Sequence, residues 1–446
     1  MAENIIINGT TYDGVNTIRV KNTRGKDVEF EVKKEVVGEG NWQPHPDWWD
    51  IKTILDNDTR DYPYKIIVLL KAGLASDITY SIYNSSAFAT SDGAFYETST
   101  LTHTWDLSKD KPCYIDGVEA YKTRYVIIYS NYSIGSFTYG KPEILWFCAN
   151  PKFGGTSMNS NFSNCVLLES VQDLDTSNAD NFGSMFASCV NLKTIPQIDT
   201  KKSTSFNGMF RGCCNLESIP QLNGESCTNF GLMFSGCTNL KTIPQIDTKK
   251  STSFGSMFST CYVIDNLPDM DVAKGTDFSS MFANCYCLTK APKLKSTLGT
   301  NFYNIFQNCH LLEEVPLLDL FSATNTSNLF YYCAKLRVVN LKNIKISGIV
   351  LGTGTSWGQY LTVDSLINTL KELWDYSSGS SHSITIGTYN KPKLDNVYVK
   401  LITPTAEQIA EDPNINSKMP CEVCASTDEG AMLILDYASA KGWTIS

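Results

Sequence analysis

Fifteen cysteines and four histidines are the side chains best suited to redox, metal or nucleophilic chemistry in this 446-residue chain. Eight of the cysteines, Cys165, Cys189, Cys213, Cys237, Cys261, Cys285, Cys309 and Cys333, follow one another at 24-residue intervals without exception. If the interval marks stacked units, equivalent Cα atoms lie about 5 Å apart, within reach of a disulfide. Stacked equivalent side chains point in parallel, however, which opposes bonding. A long regular interval also lacks the local Cys-x-x-Cys pairs of zinc sites. A small, weakly polar side chain filling a recurring core slot accounts for the series without oxidation. The ladder is therefore read as reduced, buried thiols with a structural role.

Other candidates carry less. Cys421 and Cys424 form a lone Cys-x-x-Cys with no second pair and no neighbouring His, which favours a structural or incidental role. Trp42, Trp48 and Trp49 lie close to His45, Asp47 and Asp50. They could form a carbohydrate-stacking platform or a metal site. A helix begun by Pro46 and Asp47, with Trp48, Ile51 and Leu55 facing a core, is the favoured reading, because aromatic residues at helical spacing usually pack. There is no phosphate-cradling glycine loop, no His-Glu-x-x-His and no nucleophile elbow. The expectation is a non-enzyme with no catalytic set, no metal and no cofactor.

The elements that must position these residues are repeats. Phe sits three residues before each ladder Cys, from Phe162 and Phe186 to Phe330, and Leu or Ile three after, from Leu168 to Leu336. A further apolar residue follows, from Val171 and Ile195 to Val339, and Pro comes next in six of the eight units. One such unit cannot bury its own apolar face, whereas stacked units bury a continuous one. The spacing predicts a solenoid of eight coils. Leu-x-x-Ile-Pro reads as a very short strand ended by Pro. Asp199-Thr200, Asn223-Gly224 and Asp247-Thr248 read as turns. Phe-x-x-Met-Phe-x-x-Cys places apolar residues at i, i+3, i+4 and i+7, and predicts about two helical turns. Residues 192–206 recur identically at 240–254, the mark of a duplicated two-unit block.

The unit pattern, Cys-x-x-Leu-x-x-Ile-Pro followed by Met-Phe-x-x-Cys, resembles the BspA-like class of leucine-rich repeats. The resemblance implies an extended recognition surface rather than a reaction. Such repeats occur in surface and adhesion proteins of bacteria and some protozoa, and in proteins of phages that infect gut bacteria. IIINGTTYDGVNTIRVKN near the N-terminus resembles openings of phage tail and virion proteins. Residues 35–150 resemble a module found beside these repeats. SHSITIGTYNKPKL and the final AKGWTIS resemble the ending of phage proteins that carry them, with an insertion of roughly residues 395–427.

The expected organisation is multidomain: a β attachment segment over 1–34, a mainly-β domain over 35–150, the leucine-rich-repeat solenoid over 151–345 and an α/β cap over 346–446. TIRVKN and VEFEV alternate as a hairpin, and KIIVLL, ITYSIY, TRYVIIYS and EILWFC read as strands. LTVDSLINTLKELWDY is the clearest helix, with Asp364 as its N-cap and Leu366, Ile367, Leu370 and Leu373 as its stripe.

A net charge of −9 disfavours nucleic-acid binding, and no apolar run is long enough to insert in a membrane. The N-terminus lacks the features of a secretory signal, which predicts folding in a cytoplasm. Together these features lead to the expectation of a phage virion protein, a tail-fibre, receptor-binding or head-fibre component located on the particle. It would join other virion proteins through residues 1–34, form a homo-oligomer and recognise a host-surface glycan or protein receptor. A bacterial surface adhesin is the alternative, and a polysaccharide-degrading enzyme the second. The candidate recognition surface is the row Gln197, Gln221 and Gln245 with Lys201, Lys202, Lys249 and Lys250 beside it.

Overall fold

The computed structural model describes strand segments between residues 4 and 154, residues 58–60, and residues 156–171, 174–351, 361–377, 379 and 382–446. Two antiparallel hairpins open the chain, Asn4–Ile7 with Thr10–Asp13 and Thr17–Lys21 with Asp27–Glu31. A larger sheet follows, in the order 170–171, 144–150, 64–71, 118–130, 111–115, 49–50. Its first neighbour pair joins Ile144–Asn150 in parallel to Ser170–Val171, so the sheet runs directly into the first repeat. Trp49–Asp50 is a two-residue strand beside Lys111–Ile115, which corrects the helix expected to run on from Pro46 and Asp47. Trp42, His45, Trp48, Ile51 and Leu55 lie outside the described residues.

Each repeat is a coil of consecutive tight turns, with no α-helix. In Phe182–Leu192, the amides of Met185, Ala187, Cys189 and Leu192 donate three residues back to Phe182, Ser184, Phe186 and Cys189. The amides of Phe182, Ser184, Phe186 and Ser188 donate instead to Ser205, Asn207, Met209 and Arg211 of the next coil. A helix would send every amide to its own chain segment. Here alternate amides bind coil to coil, so the apolar i, i+3, i+4, i+7 pattern is satisfied without one.

This path requires left-handed backbone at two positions, four residues apart, in each coil. Positive φ occurs at Ser184 and Ser188, Gly208 and Gly212, Ser256 and Thr260, Asn304 and Asn308. Glycine and asparagine tolerate that region best. The expected strand is also mostly absent. Pro196, Pro220, Pro244, Pro268 and Pro292 remove a ladder donor from their coils. Extended pairing appears only at the two ends, at the start as Ser170–Val171 beside Ile144–Asn150 and Leu174–Asp175 beside Phe153–Gly154, and at the far end where Glu314–Asp319 runs parallel to the proline-free Val338–Lys342. The register shifts between Val315 and Leu318, at Pro316. The regular ladder lies elsewhere, as single parallel bridges from Asn181 to Ser205, Asn229, Ser253, Asp277, Asn301 and Asn325.

Two columns of phenylalanine fill the interior. Phe162, Phe186, Phe210, Phe234, Phe258, Phe282, Phe306 and Phe330 stack with centroids 5.3–5.8 Å apart and planes within 14°. Phe182, Phe206, Phe230, Phe254, Phe278 and Phe302 form the second column at 5.3–6.1 Å. Small residues recur three before each of its rings, Ala179, Ser203, Cys227, Ser251, Gly275 and Gly299, and the two glycines lie against the column. A Cβ added at Gly275 would stand 2.4 Å from the Phe278 ring.

The C-terminal region closes this core. Helix α1, Val363–Lys371, is capped by Thr362, whose side chain accepts from the Ser365 amide, so Asp364 lies in the first turn and is not the cap. Leu366, Leu370 and Leu373 are fully buried and Ile367 nearly so. The helix docks on the last coil through Val339 N–H to Ser365 Oγ at 3.0 Å and Thr362 N–H to Arg337 O at 2.9 Å. The buried Glu372 carboxylate accepts from Lys418 and from Lys342, tying the 395–427 segment to the end of the solenoid. Lys418 also meets Asp412 at 2.7 Å.

Two stability changes follow. Leu232 occupies a left-handed position at φ 58° that equivalent coils fill with Ser, Gly or Asn. Leu232→Asn should raise the denaturant midpoint by an amount corresponding to about 1 kcal/mol. Glu372→Ala removes one of the two carboxylates on the buried Lys418 ammonium and leaves Asp412, and chemical unfolding should show a loss of about 1–3 kcal/mol.

Candidate recognition surface

The cysteine ladder is interior and inert. All eight ladder residues have no exposed surface, and every described cysteine is free. Each thiol from Cys189 onward donates to the carbonyl of the Phe 27 residues earlier: Cys189 to Phe162 at 2.9 Å, Cys213 to Phe186 at 3.0 Å, Cys237 to Phe210 at 3.1 Å. Cys261, Cys285, Cys309 and Cys333 repeat the contact at 2.9–3.1 Å. Serine at Cys237 would therefore have an acceptor in reach, so the slot demands a small donor as much as an apolar group. Burial pushes these thiols up, Cys285 to about 12 from an ordinary 9.0. Cys421 and Cys424 occupy a strand, Cys421–Cys424, where an odd offset sends their side chains to opposite faces. That geometry excludes a shared metal.

What faces solvent is the turn after the proline row. There Gln197, Gln221 and Gln245 are exposed and line one groove of about 890 Å³ with Lys201 and Lys249. Lys202 and Lys250 are exposed but stand outside its lining; Lys202 Nζ instead donates to Asn178 Oδ1 at 2.9 Å. The glutamines also staple the coils. Nε2 of Gln197, Gln221 and Gln245 donates to the carbonyl of Gln221, Gln245 and Asp269 at 2.8, 2.6 and 2.8 Å.

The groove gains residues that the sequence reading passed over. Asp199, Asn223, Asp247 and Asp271 form a row along it, with Glu225 beside them. Asp199, Asn223, Asp247 and Asp271 each accept an amide two residues on, at 2.9–3.0 Å. The Asp-Thr and Asn-Gly pairs signal the turns in the sequence, but nothing in their spacing marks the outward Asp and Asn side chains as site residues. The Lys249 amide, and then its ammonium 3.0 Å away, hold Asp247 below the usual carboxylate range; Asp247 in turn raises Lys249. The floor is apolar and closed: Ile198, Leu222 and Ile246 are at most 3% exposed.

Two further rows adjoin each other on the outside of the solenoid. Asn191, Asn215 and Asn239 form an amide ladder at 3.3 and 3.4 Å. On the adjoining row, later coils present stacked rings, Tyr262 on Tyr286 at 4.8 Å and Tyr286 on His310 at 4.9 Å. Their common offset of one residue after the ladder Cys was a signal available in the sequence.

Residues 156–269 and 214–315 match the family described as "Mycoplasma protein of unknown function, DUF285", within the repeat region alone. The match and the periodic aromatic columns identify a repeat solenoid, and suggest a non-catalytic repeat protein. No curated protein and no solved structure matches the chain.

The buried thiols set an alkaline limit. Their folded values lie above the 9.0 of a free thiol, so above that pH the unfolded chain has released protons that the folded chain retains. The ladder's contribution should be constant below about pH 9 and fall as pH rises toward 12. Unfolding midpoints across that range, with thiolate absorbance followed in parallel, measure it.

Proposed function

We propose that this chain is a phage virion protein, a tail-fibre, receptor-binding or head-fibre component, that uses an eight-coil solenoid to recognise the host cell surface. The observation that carries the reading is the combination of a rigid, fully packed repeat core with rows of equivalent polar side chains on its outside. Repetition suits many weak contacts with a polymer or a repeated receptor, and several copies per particle would multiply them. The resemblance of the opening residues to virion proteins supports attachment through residues 1–34. The two short hairpins there are too small for an independent core and suit completion by a partner chain or a second copy. A bacterial surface adhesin is the second reading, favoured by the bacterial source named in the matched family's description.

Antibody labelling of particles and of host cells separates the two. Virion labelling that is lost on deleting residues 1–34, with the truncated chain still soluble and folded, is the expected result. Label on uninfected bacterial cells, or normal incorporation of the truncated chain, would reject the virion reading.

A further inference from the structure

We infer that the groove lined by Gln197, Asp199, Gln221, Asn223, Gln245 and Asp271 binds an uncharged, hydroxyl-rich glycan chain lying along the solenoid axis, one sugar unit per coil. The inference deepens the recognition reading above, and its binding test does not depend on any virion being involved.

Three features of the groove lead there. First, it crosses four successive coils, and each places a polar acceptor side chain at the same position along it. Gln197, Gln221, Gln245 and Asp269 hold one position; Asp199, Asn223, Asp247 and Asp271 hold the next but one. Equivalent rings of neighbouring coils lie 4.8–6.1 Å apart, about the length of one unit in an extended pyranose chain. A polymer of that repeat meets each coil in the same way.

Second, the acceptors are fixed and have capacity left. Asp199 Oδ1 and Asp271 Oδ1 receive the amides of Lys201 and Ala273, which lock both carboxylates in place. Their Oδ2 atoms remain able to accept from a ligand hydroxyl. Charge-assisted bonds of this kind are the stronger class. The glutamine Nε2 donors are committed to coil carbonyls, so each Gln presents an oriented Oε1. A surface weighted toward acceptors fits a ligand rich in O–H donors.

Third, the charge excludes the obvious alternatives. Asp199, Glu225, Asp247 and Asp271 outnumber Lys201 and Lys249, and Lys249 is occupied by Asp247 at 3.0 Å and Glu225 at 3.8 Å. A polyanion would be repelled. An extended polypeptide would need open backbone donors and acceptors, yet the carbonyls of Gln221, Gln245 and Asp269 are already bonded by glutamine side chains. The buried floor offers no apolar pocket for a side chain.

The test is calorimetric titration of the full chain with β-linked glucose, mannose and N-acetylglucosamine oligomers, from disaccharide to hexasaccharide. Heparin and an unstructured peptide serve as the charged and polypeptide probes. The expected result is that one neutral series binds, with affinity rising at least about tenfold, or 1.4 kcal/mol, from di- to tetrasaccharide and then levelling. Asp199→Asn with Asp271→Asn keeps the turn acceptors and replaces the free oxygens. That pair should weaken binding about tenfold with an unchanged unfolding midpoint, while Lys202→Ala with Lys250→Ala, outside the groove, should leave it intact. Absence of binding by every neutral series, affinity independent of length, tighter binding of heparin or peptide, or an unaffected aspartate pair would each overturn the inference. If glycan binding is lost in the aspartate pair but host adsorption persists, the glycan site stands and host recognition is placed on another surface.

Discussion

The structure depends on one backbone constraint: in the turn segment of each coil but the last, alternate amides donate to the coil that follows. Phe182, Ser184, Phe186 and Ser188 do so to Ser205, Asn207, Met209 and Arg211, and the intervening amides close turns within the coil. A buried backbone polar group left unpaired is costly, and this division gives the turn amides partners. The rest follows from it. Alternating donors go with two left-handed residues, four apart, in each coil, most of them Ser, Asn or Gly. The same spacing brings Phe over Phe in two columns and leaves a small slot, which the ladder thiol fills while donating to the carbonyl of a Phe 27 residues back.

Strict repetition carries an electrostatic cost that the two-coil block avoids. A side chain repeated in every coil is stacked on itself, and stacked ammonium groups repel. Lys193 and Lys241 lie 48 residues apart and alternate with Glu169 and Glu217, giving pairs at 3.0 and 2.7 Å. Lys249 likewise reaches Glu225 in the coil between the two KKST segments. Exposed pairs of this sort contribute little each. Their effect is to remove repulsion, which makes the doubled period physically sensible whatever its origin. Uncharged groups need no such alternation, and the Gln, Asn and Tyr rows stack directly.

The same logic sets what the surface can present. Inward positions are held by stacking and cannot vary without loss, whereas outward positions are constrained only by their neighbours one coil away. Outer rows therefore differ along the solenoid, with Asn191, Asn215 and Asn239 stacked on one position in earlier coils and Tyr262 and Tyr286 on the adjoining position in later ones, while the phenylalanine columns continue beneath. A rigid scaffold with freely varied outer rows is what a recognition element needs.

By itself the sequence determined the solenoid, its 24-residue period and which residues face inward, because a period kept by Cys, Phe and Leu over so many units has no other economical packing. It also determined the cap helix and its stripe, and the strands of the N-terminal half such as Tyr64–Lys71 and Val118–Ser130. It misled on local conformation. The spacing Phe182, Met185, Phe186, Cys189 suits a helix equally well, and only the neighbouring coil, by taking alternate amides, decides for turns. Pro196 was legible as the end of a strand, but whether any strand preceded it rested on ladder partners that proline coils withhold. In the groove, Gln197, Gln221 and Gln245 were legible as a row, yet their double duty as coil staples was not, nor was the carboxylate row of Asp199, Asp247 and Asp271 beside them. Periodicity reveals which residues share a face. Only the tertiary structure decides which of their polar atoms the neighbouring coil has already taken, and so which remain for a ligand.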